Sequence, residues 1–247
     1  SDKCPSIPES AILSFSDKID SLVGFIAMDM KATGSKDPFG LRRSCLGIIR
    51  IIIEKRIKIS IIDVINASYD SYEKQNIKLK LSKNESNKST LDFIYDRLRV
   101  FLKDRGLSQS AIQAIFEVSE FTDILDDLDK INALSVFMED AKGKDFLSIL
   151  KRVRRILKIE EKKDNVFMKP EPKKELLELK EEIDLYKSYL KYSKKTQSLL
   201  EKKNYIEAMK AFSEISLELE NFFENVQVNV DDKEIRNNRL KLLSLIR

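Results

Sequence analysis

Residues 145–160 read DFLSILKRVRRILKIE, the most regular helical pattern in the chain. At 100° per residue, its apolar side chains form one seam: Phe146, Ile149, Leu150, Val153, Ile156 and Leu157. The basic side chains of residues 144–158 lie away from that seam, four of them opposite and two on the flanks: Lys144, Lys151, Arg155 and Lys158, then Arg152 and Arg154. The stretch predicts a helix with one face buried in a bundle and a cationic face exposed.

The composition of the whole chain also favours helices. Its 247 residues include only 6 glycines and 5 prolines, and 42% are hydrophobic, enough for a sizeable core. No strand pattern of any length and no internal repeat occurs. We therefore predict an all-α fold with two helical bundles.

Capping patterns indicate where the helices begin and end. Ser6 with Glu9 is a capping-box pattern, and Asp37 can cap a second helix with Pro38 at its first position. Gly106 suits a helix C-terminus. The expected helices cover residues 8–27, 38–56, 60–75, 89–106, 108–120, 122–141, 145–160, 174–203 and 205–225, with a terminal helix capped by Asp231 or Asp232.

One stretch lacks any sustained apolar pattern. Residues 76–89, NIKLKLSKNESNKS, are polar and of low complexity, which is typical of a linker. The sequence therefore predicts a domain boundary near residue 80.

The sequence lacks the residues that several kinds of chemistry usually require. The chain has no histidine, so the commonest general base and every Ser-His or Cys-His triad are missing. Cys4 and Cys45 give neither a disulfide framework nor a metal-ligand spacing. There is no Gly-rich phosphate loop, and no apolar stretch of membrane-spanning length. We expect no catalytic residue, no metal site and no membrane contact in this chain, and a cytoplasmic setting is the default.

The net charge of +4 is unevenly distributed. Residues 142–158 contain seven basic side chains and one acidic, and residues 31–58 contain eight basic and two acidic. Residues 117–129, in contrast, contain six acidic side chains and no basic one. Basic blocks of this kind fit a polyanion partner, although helix surfaces also carry charge for solubility.

Four stretches, in chain order, carry a resemblance to a known family: DKIDSLVGF (17–25), TGSKDPFGLRRSCLGIIRI (33–51), DRLRVFLKDRGLSQSAIQAIF (96–116) and FFENVQVNVDDKEIRNNRLKLLSLI (222–246). Together they resemble the bacterial glycyl-tRNA synthetase beta subunit. Because that family's chains are much longer, the resemblance implies that this chain is a C-terminal part. The literal Asp-Ala-Leu-Arg tetrad is absent, and Arg155 stands where the family pattern has asparagine.

The resemblance implies a domain organisation and a function. Residues 1–80 would be the trailing part of a helical HD-like domain, and residues 81–247 an anticodon-binding helical domain of the DALR type. The whole enzyme would join glycine to tRNA using ATP and magnesium, with the adenylate chemistry on a separate alpha subunit. This chain would be non-catalytic and would bind tRNA(Gly), with the alpha subunit as its protein partner.

A tRNA-binding role would fall to the basic side chains, because Lys and Arg bind phosphates. The candidates are Lys144, Lys151, Arg152, Arg154, Arg155, Lys158, Arg236 and Arg239. For those at 144–158 the alternative is a solvated helix face, and for Arg239 it is an ion pair that braces the bundle.

Glycine anticodons end in two cytosines, whose amino groups suit a carboxylate acceptor. Asp231, Asp232 and Glu234 are therefore candidates for reading bases. For the two aspartates helix capping is the simpler explanation. Phe222 and Phe223 are candidates for stacking on bases, but at helical spacing aromatic residues usually belong to the core.

The stretch 34–43, GSKDPFGLRR, predicts a structural motif made of Asp37, Pro38, Arg42 and Arg43. The two arginines lie near a helix start, where the helix dipole disfavours cations. We expect Asp17 and Asp20 as internal partners, with a tRNA phosphate as the functional alternative.

A different class of function is also compatible with the sequence. A helical adaptor could bind another protein through the long helix expected at residues 174–203. Salt-sensitive binding of tRNA would distinguish the two functions.

Overall fold

The computed structural model describes residues 4–30, 37–120 and 122–247. In these ranges it contains eleven α-helices and no β-strand, which confirms the predicted all-α fold. The helices are α1 Pro8–Ala27, α2 Leu41–Lys55, α3 Ile61–Lys74, α4 Lys83–Asp104, α5 Gln109–Phe116, α6 Ile124–Glu139, α7 Ala141–Asp164, α8 Lys180–Glu201, α9 Tyr205–Ser213, α10 Ser216–Asn225 and α11 Lys233–Ser244, with a 3-10 turn at Lys174–Leu176.

The chain forms two compact units, residues 1–132 and 133–247, and the division falls within α6. The boundary predicted near residue 80 does not coincide with this division. In the first unit, α1 packs against α2, α3 and α4, and α4 packs against α5. In the second, α7 packs against α9, α10 and α11, and α8 packs against the same three helices.

The predicted linker at residues 76–89 is an integral part of the first unit. Its second half is the start of α4, where Ser82 and Glu85 form a capping box: the carboxylate of Glu85 accepts from the N–H of Ser82 at 2.9 Å. Just before it, the N–H of Leu81 donates to the carbonyl of Ala27 at 2.9 Å. The serine and the glutamate three residues later were a signal for a helix that the polar composition obscured.

The turn before α2 differs from the prediction. Gly40 adopts a φ of +65° and the helix begins at Leu41, so Pro38 lies in the turn and not at the first helical position. Asp37 nevertheless caps the helix, since its carboxylate accepts from the N–H groups of Leu41 at 2.8 Å and Arg42 at 3.0 Å. Residues 34–36 of the motif lie outside the described residues.

The side chains next to this turn dock α2 in the first unit. The ring of Phe39 stacks on that of Phe25, with 4.4 Å between the ring centroids. Leu41 is 1% exposed, at the start of a helix that is buried on most of its faces.

Asp20, one expected partner of the arginines, has other partners in the structure. Its carboxylate accepts from the hydroxyl of Ser68 at 3.2 Å and from that of Tyr72 at 2.9 Å. These bonds fix α1 to α3. The pairing of Arg42 and Arg43 with internal carboxylates stays a prediction.

The helix expected at residues 205–225 is broken into α9 and α10. Ser213 and Ser216 lie at the break, and each hydroxyl donates to a backbone carbonyl three residues earlier, at 2.8 and 2.6 Å. Such bonds offer the backbone an alternative to the helical pattern. Ile215, at the break, and Phe222, in α10, are both fully buried in the core.

Candidate RNA-binding surface

The helix that carries the basic face is longer than predicted. α7 runs from Ala141 to Asp164, with Asp140 as its N-cap, whose carboxylate accepts from the N–H of Gly143 at 3.2 Å. The predicted seam is confirmed in the core, where Phe146 contacts Phe212 edge to face with 5.9 Å between centroids. Burial of this seam holds the opposite face outward.

The extension adds one residue to the basic face. Lys162 follows Lys158 by one helical turn and lies in line with the four residues predicted to oppose the seam. The resulting basic stripe of α7 is about 27 Å long at 1.5 Å per residue, and all of its members are exposed: Lys144, Lys151, Arg155, Lys158 and Lys162. Within the described parts of the chain, none of the five forms an ion pair with a carboxylate.

The flanking Arg152 has a fixed position. Its guanidinium lies over the ring of Phe223, 4.1 Å from the centroid, which is a cation–π contact. Phe222, the neighbouring candidate for base stacking, is fully buried and belongs to the core. Arg154, on the other flank, is exposed. The predicted surface at residues 144–158 is thus presented to solvent as a whole.

Arg236, also predicted to contact RNA, has carboxylate partners within the bundle. Its guanidinium donates to Glu160 at 2.5 Å and to Asp164 at 2.7 Å, both at the C-terminal end of α7. The side chain is only 13% exposed. The side chain ties α11 to α7, and its contact with RNA stays a prediction.

This cluster has a consequence for stability at low pH. Burial acts to raise the pKa of Glu160, but hydrogen bonds from Arg236 and Asn229 outweigh it and hold the pKa below its usual value. The pKa of Asp164 is lowered chiefly by its hydrogen bond with Arg236. Carboxylates with lowered pKa values stabilise the fold above their unfolded pKa values, and this stabilisation is lost as pH falls through the folded values.

We expect Arg236→Gln to destabilise the protein by about 2 kcal/mol near neutral pH, the size of a charge-assisted hydrogen bond. As pH falls below about 4, the usual value for a carboxyl, the difference from the natural protein should shrink progressively, because the unfolded chain and the variant bind protons at these carboxyls more readily than the paired site does. Urea unfolding at several pH values measures the difference in the free energy of unfolding between the two proteins. A difference that is constant between about pH 6 and pH 3 would contradict the ionic role of Arg236.

Arg239 also has a carboxylate partner within the bundle. It is 5% exposed and pairs with Glu182, which is fully buried. A second donation runs from Arg239 Nη1 to the carbonyl of Gln227 at 2.9 Å. The guanidinium is thus unavailable to RNA, and the bracing alternative is correct.

The three base-reading candidates have different environments. Asp232 caps α11, accepting from the N–H groups of Glu234 at 2.8 Å and Ile235 at 3.1 Å, so its carboxylate has the capping role. Asp231 is exposed, and Glu234 lies 3.6 Å from the ammonium of Lys173. Asp231 and Glu234 both line a cleft of about 790 Å³ in the second unit.

Sequence reasoning missed the cleft and its most unusual side chain. Phe167 lines it and is 69% exposed. The stretch MKPEPKK at residues 168–174 lies between two predicted helices, and Phe167 precedes it directly. A lone aromatic residue beside two prolines, outside any helical periodicity, was the available signal.

The described residues contain neither a group of metal ligands nor a membrane-spanning helix. Their His, Cys, Asp and Glu side chains form no group of three that could hold a metal ion. None of their helices combines the length and the apolar character needed to cross a membrane.

Models of two protein families match two separate parts of the chain. A family model described as glycyl-tRNA synthetase beta subunit matches residues 1–117, and one described as DALR anticodon binding domain matches residues 149–247. The glycine–tRNA ligase beta subunit of Ruegeria sp. (strain TM1040) is 33% identical over 247 residues, which are 100% of this chain and 34% of the relative. The chain thus spans about a third of that curated relative's length.

Proposed function

The chain belongs to the glycyl-tRNA synthetase beta-subunit family, and from this premise we propose that its second unit binds tRNA(Gly). Phosphates of the folded RNA would contact the basic stripe of α7, with Arg152 and Arg154 beside it. The first unit would serve as a helical platform, and its motif of Asp37 and Pro38 is chiefly architectural.

One observation carries this proposal: among the described residues, the five cations of the stripe have no carboxylate partner, whereas other arginines of the same unit are paired. Arg236, Arg239 and Arg247 each have a carboxylate partner in the bundle. A row of like charges on one helix repels itself, at a cost of a few tenths of a kcal/mol per pair. A polyanion that neutralises the row removes this repulsion and releases counterions.

Reversing two charges at the middle of the stripe tests the proposal. We expect Lys151→Glu with Arg155→Glu to weaken tRNA(Gly) binding by about tenfold or more. The slope of log affinity against log salt should become shallower by about 1.5, since roughly 0.7 to 0.9 is lost per phosphate contact. Filter binding or fluorescence anisotropy over a salt series measures both quantities.

Two matched controls distinguish a specific role of the basic stripe in RNA binding from a general effect of net charge. Exchanging the residues as Lys151→Arg with Arg155→Lys keeps the charge and should leave binding unchanged. Lys194→Glu with Lys195→Glu places the same reversal on exposed positions of α8. If this control pair weakened binding as much as the stripe variant did, the stripe would lose its special role.

The activity of the whole protein is part of the same proposal. The family relationship supports a subunit of a ligase that joins glycine to tRNA with ATP and magnesium, with the alpha subunit as partner and the cytoplasm as setting. In this chain, the described residues offer no grouped metal ligands, and the sequence has no Gly-rich phosphate loop. No step through ATP or magnesium is therefore assigned to it, and its role is to bind and position the RNA.

The adaptor alternative required the predicted helix at residues 174–203 as a docking surface. That segment forms the 3-10 turn and α8, and α8 packs against α9, α10 and α11. Its Leu185 is fully buried within this bundle. One face of α8 is thus engaged within the second unit, and the other face is the only part of it that an adaptor function could use.

A further inference from the structure

Another cleft, the α1–α2 cleft, lies in the first unit. Its walls come from the segment before α1, the middle of α1, residues 39–51 and Phe101 of α4. Its volume of about 650 Å³ is in the range of pockets that enclose small molecules. Among the described residues that line it, three are cations and none is a carboxylate: Lys18, Arg43 and Arg50. The cleft therefore suits an anion.

The three cations form a row along α2. Arg43, Gly47 and Arg50 follow one another at helical spacing on one face of the helix. Because Gly47 has no side chain, Lys18 of α1 lies across α2 at this point: a Cβ there would be 2.7 Å from Cε and 2.8 Å from Cδ of the lysine. Lys18 thus fills the space between two arginines that are about 10 Å apart along the helix axis.

The charge of this row is only partly neutralised. In the parts of the chain that the structure describes, Arg50 pairs with Glu54 at 3.1 Å, and the same carboxylate lies 3.8 Å from Arg105. Lys18 and Arg43 form no ion pair there, and the ammonium of Lys18 donates to the hydroxyl of Ser14 at 3.0 Å. Neighbouring like charges repel one another. A phosphate bound between them would remove this repulsion and accept strong hydrogen bonds.

Phe39 adds an aromatic surface to the same cleft. Its ring is 44% exposed, and one of its faces stacks on Phe25, as described above. A ring that is held on one face and open on the other is a stacking surface for a nucleic-acid base. The turn that carries the ring is fixed by the capping carboxylate of Asp37. The site is thus formed before a ligand binds, which lowers the entropic cost of binding.

We propose that the α1–α2 cleft binds a nucleoside diphosphate, with its phosphates on Lys18 and Arg43 and its base on Phe39. A ligand of this class has both of the groups that the cleft can recognise, and the volume suits a single small molecule. The phosphates of a folded RNA, in contrast, can be bound by an open surface such as the basic stripe of α7. The inference concerns the first unit and does not depend on the proposed tRNA-binding function.

The test measures binding of GDP, pyrophosphate and guanosine to the natural chain by calorimetry. GDP should bind about tenfold more tightly than pyrophosphate, because a base stack is added to the same two phosphates. Guanosine, which has no phosphate, should bind more weakly than GDP. Lys18→Gln with Arg43→Gln should weaken binding of both GDP and pyrophosphate by about tenfold or more, the effect of losing hydrogen bonds to charged groups. Phe39→Leu should reduce the affinity for GDP to that for pyrophosphate.

Gly47→Ala displaces one cation of the row without removing any charge. The new Cβ would force Lys18 away from its place between the arginines. We expect GDP binding to weaken by about threefold or more, a part of the loss of one hydrogen bond to a charged group. Thermal unfolding of the variant, followed by circular dichroism, shows that the fold is intact.

The matched control is Lys88→Gln with Lys103→Gln, which removes the same charge from exposed positions of α4 outside the cleft. It should leave GDP binding unchanged. Three results would each overturn the assignment: no binding of GDP, equal affinity for GDP and pyrophosphate, or equal weakening by the control pair and by the Lys18 and Arg43 pair. Displacement of bound GDP by stoichiometric tRNA(Gly) would assign the cleft to RNA and would also overturn the proposal.

Discussion

Replacing Arg239 with methionine is expected to lower the free energy of unfolding of the second unit by about 3 to 5 kcal/mol, the usual cost of leaving a buried charge unpaired. Its partner Glu182 exposes no surface, so water cannot replace the lost guanidinium. The carbonyl of Gln227 would lose its donor as well. Urea unfolding, with hydrogen exchange to locate the loss in α8 and α11, measures the effect.

A second substitution tests whether the unpaired charge of Glu182 causes this loss of stability. The carboxylate of Glu182 also accepts from the N–H groups of Glu178 at 2.7 Å and Leu179 at 2.9 Å. Both N–H groups donate to Oε2, so in Glu182→Gln with Arg239→Met the amide oxygen can keep both bonds while the uncompensated charge disappears. We expect at least about 2 kcal/mol of stability to return, since a buried ion pair is costly mainly when half of it is removed. A double variant as unstable as Arg239→Met would show that packing of the arginine was decisive.

Gly143→Ala is expected to destabilise the second unit by about 3 kcal/mol or more, beyond the usual range for an overpacked core. A Cβ built at this position would lie far inside the contact distance of the carbonyl oxygen of Phe137 and 2.9 Å from the carbonyl carbon. Backbone atoms cannot rotate away, so the start of α7 would have to shift. Thermal unfolding followed by circular dichroism measures the loss.

Gly47 provides the matched control, because it too lies within a helix. A Cβ there would meet only the flexible Lys18 side chain, 2.7 Å from Cε and 2.8 Å from Cδ. The lysine can adopt another rotamer, and alanine favours the helix by up to about 1 kcal/mol over glycine. We expect Gly47→Ala to be neutral or slightly stabilising. Equal destabilisation by both substitutions would contradict the distinction between backbone and side-chain neighbours.

Local signals in the sequence predicted most helix positions, because they act over a few residues. The helix at Pro8–Ala27 has the predicted bounds, and Gly106, with a φ of +83°, ends α4 as expected. Even so, the predicted Ser6 cap was wrong: Ile7 is the N-cap and makes no side-chain cap bond. The domain boundary near residue 80 stays a prediction, and polar composition alone does not reveal that Leu81 bonds to Ala27 of α1.

The exposed part of the candidate site was predictable, and the buried part was not. A seam repeated along α7 orients its basic face whatever packs against the seam, so the availability of Lys151 and Arg155 follows from the sequence. Arg236 and Arg239 were also candidates for contact with RNA, with an ion pair as the alternative for Arg239, but their carboxylate partners lie far away along the chain. The cleft likewise joins Phe167 to Asp231 across two helices and a turn.

The sequence by itself determined that the chain is helical, where most helices begin and end, and that one helix carries a row of cations, because all three depend on periodicity and capping within single segments. Only the tertiary structure decided which arginines remain free for a polyanion and which aromatic ring stays exposed. Those properties depend on pairings such as Arg239 with Glu182, which exist only after the bundle has brought distant segments into contact and excluded water between them.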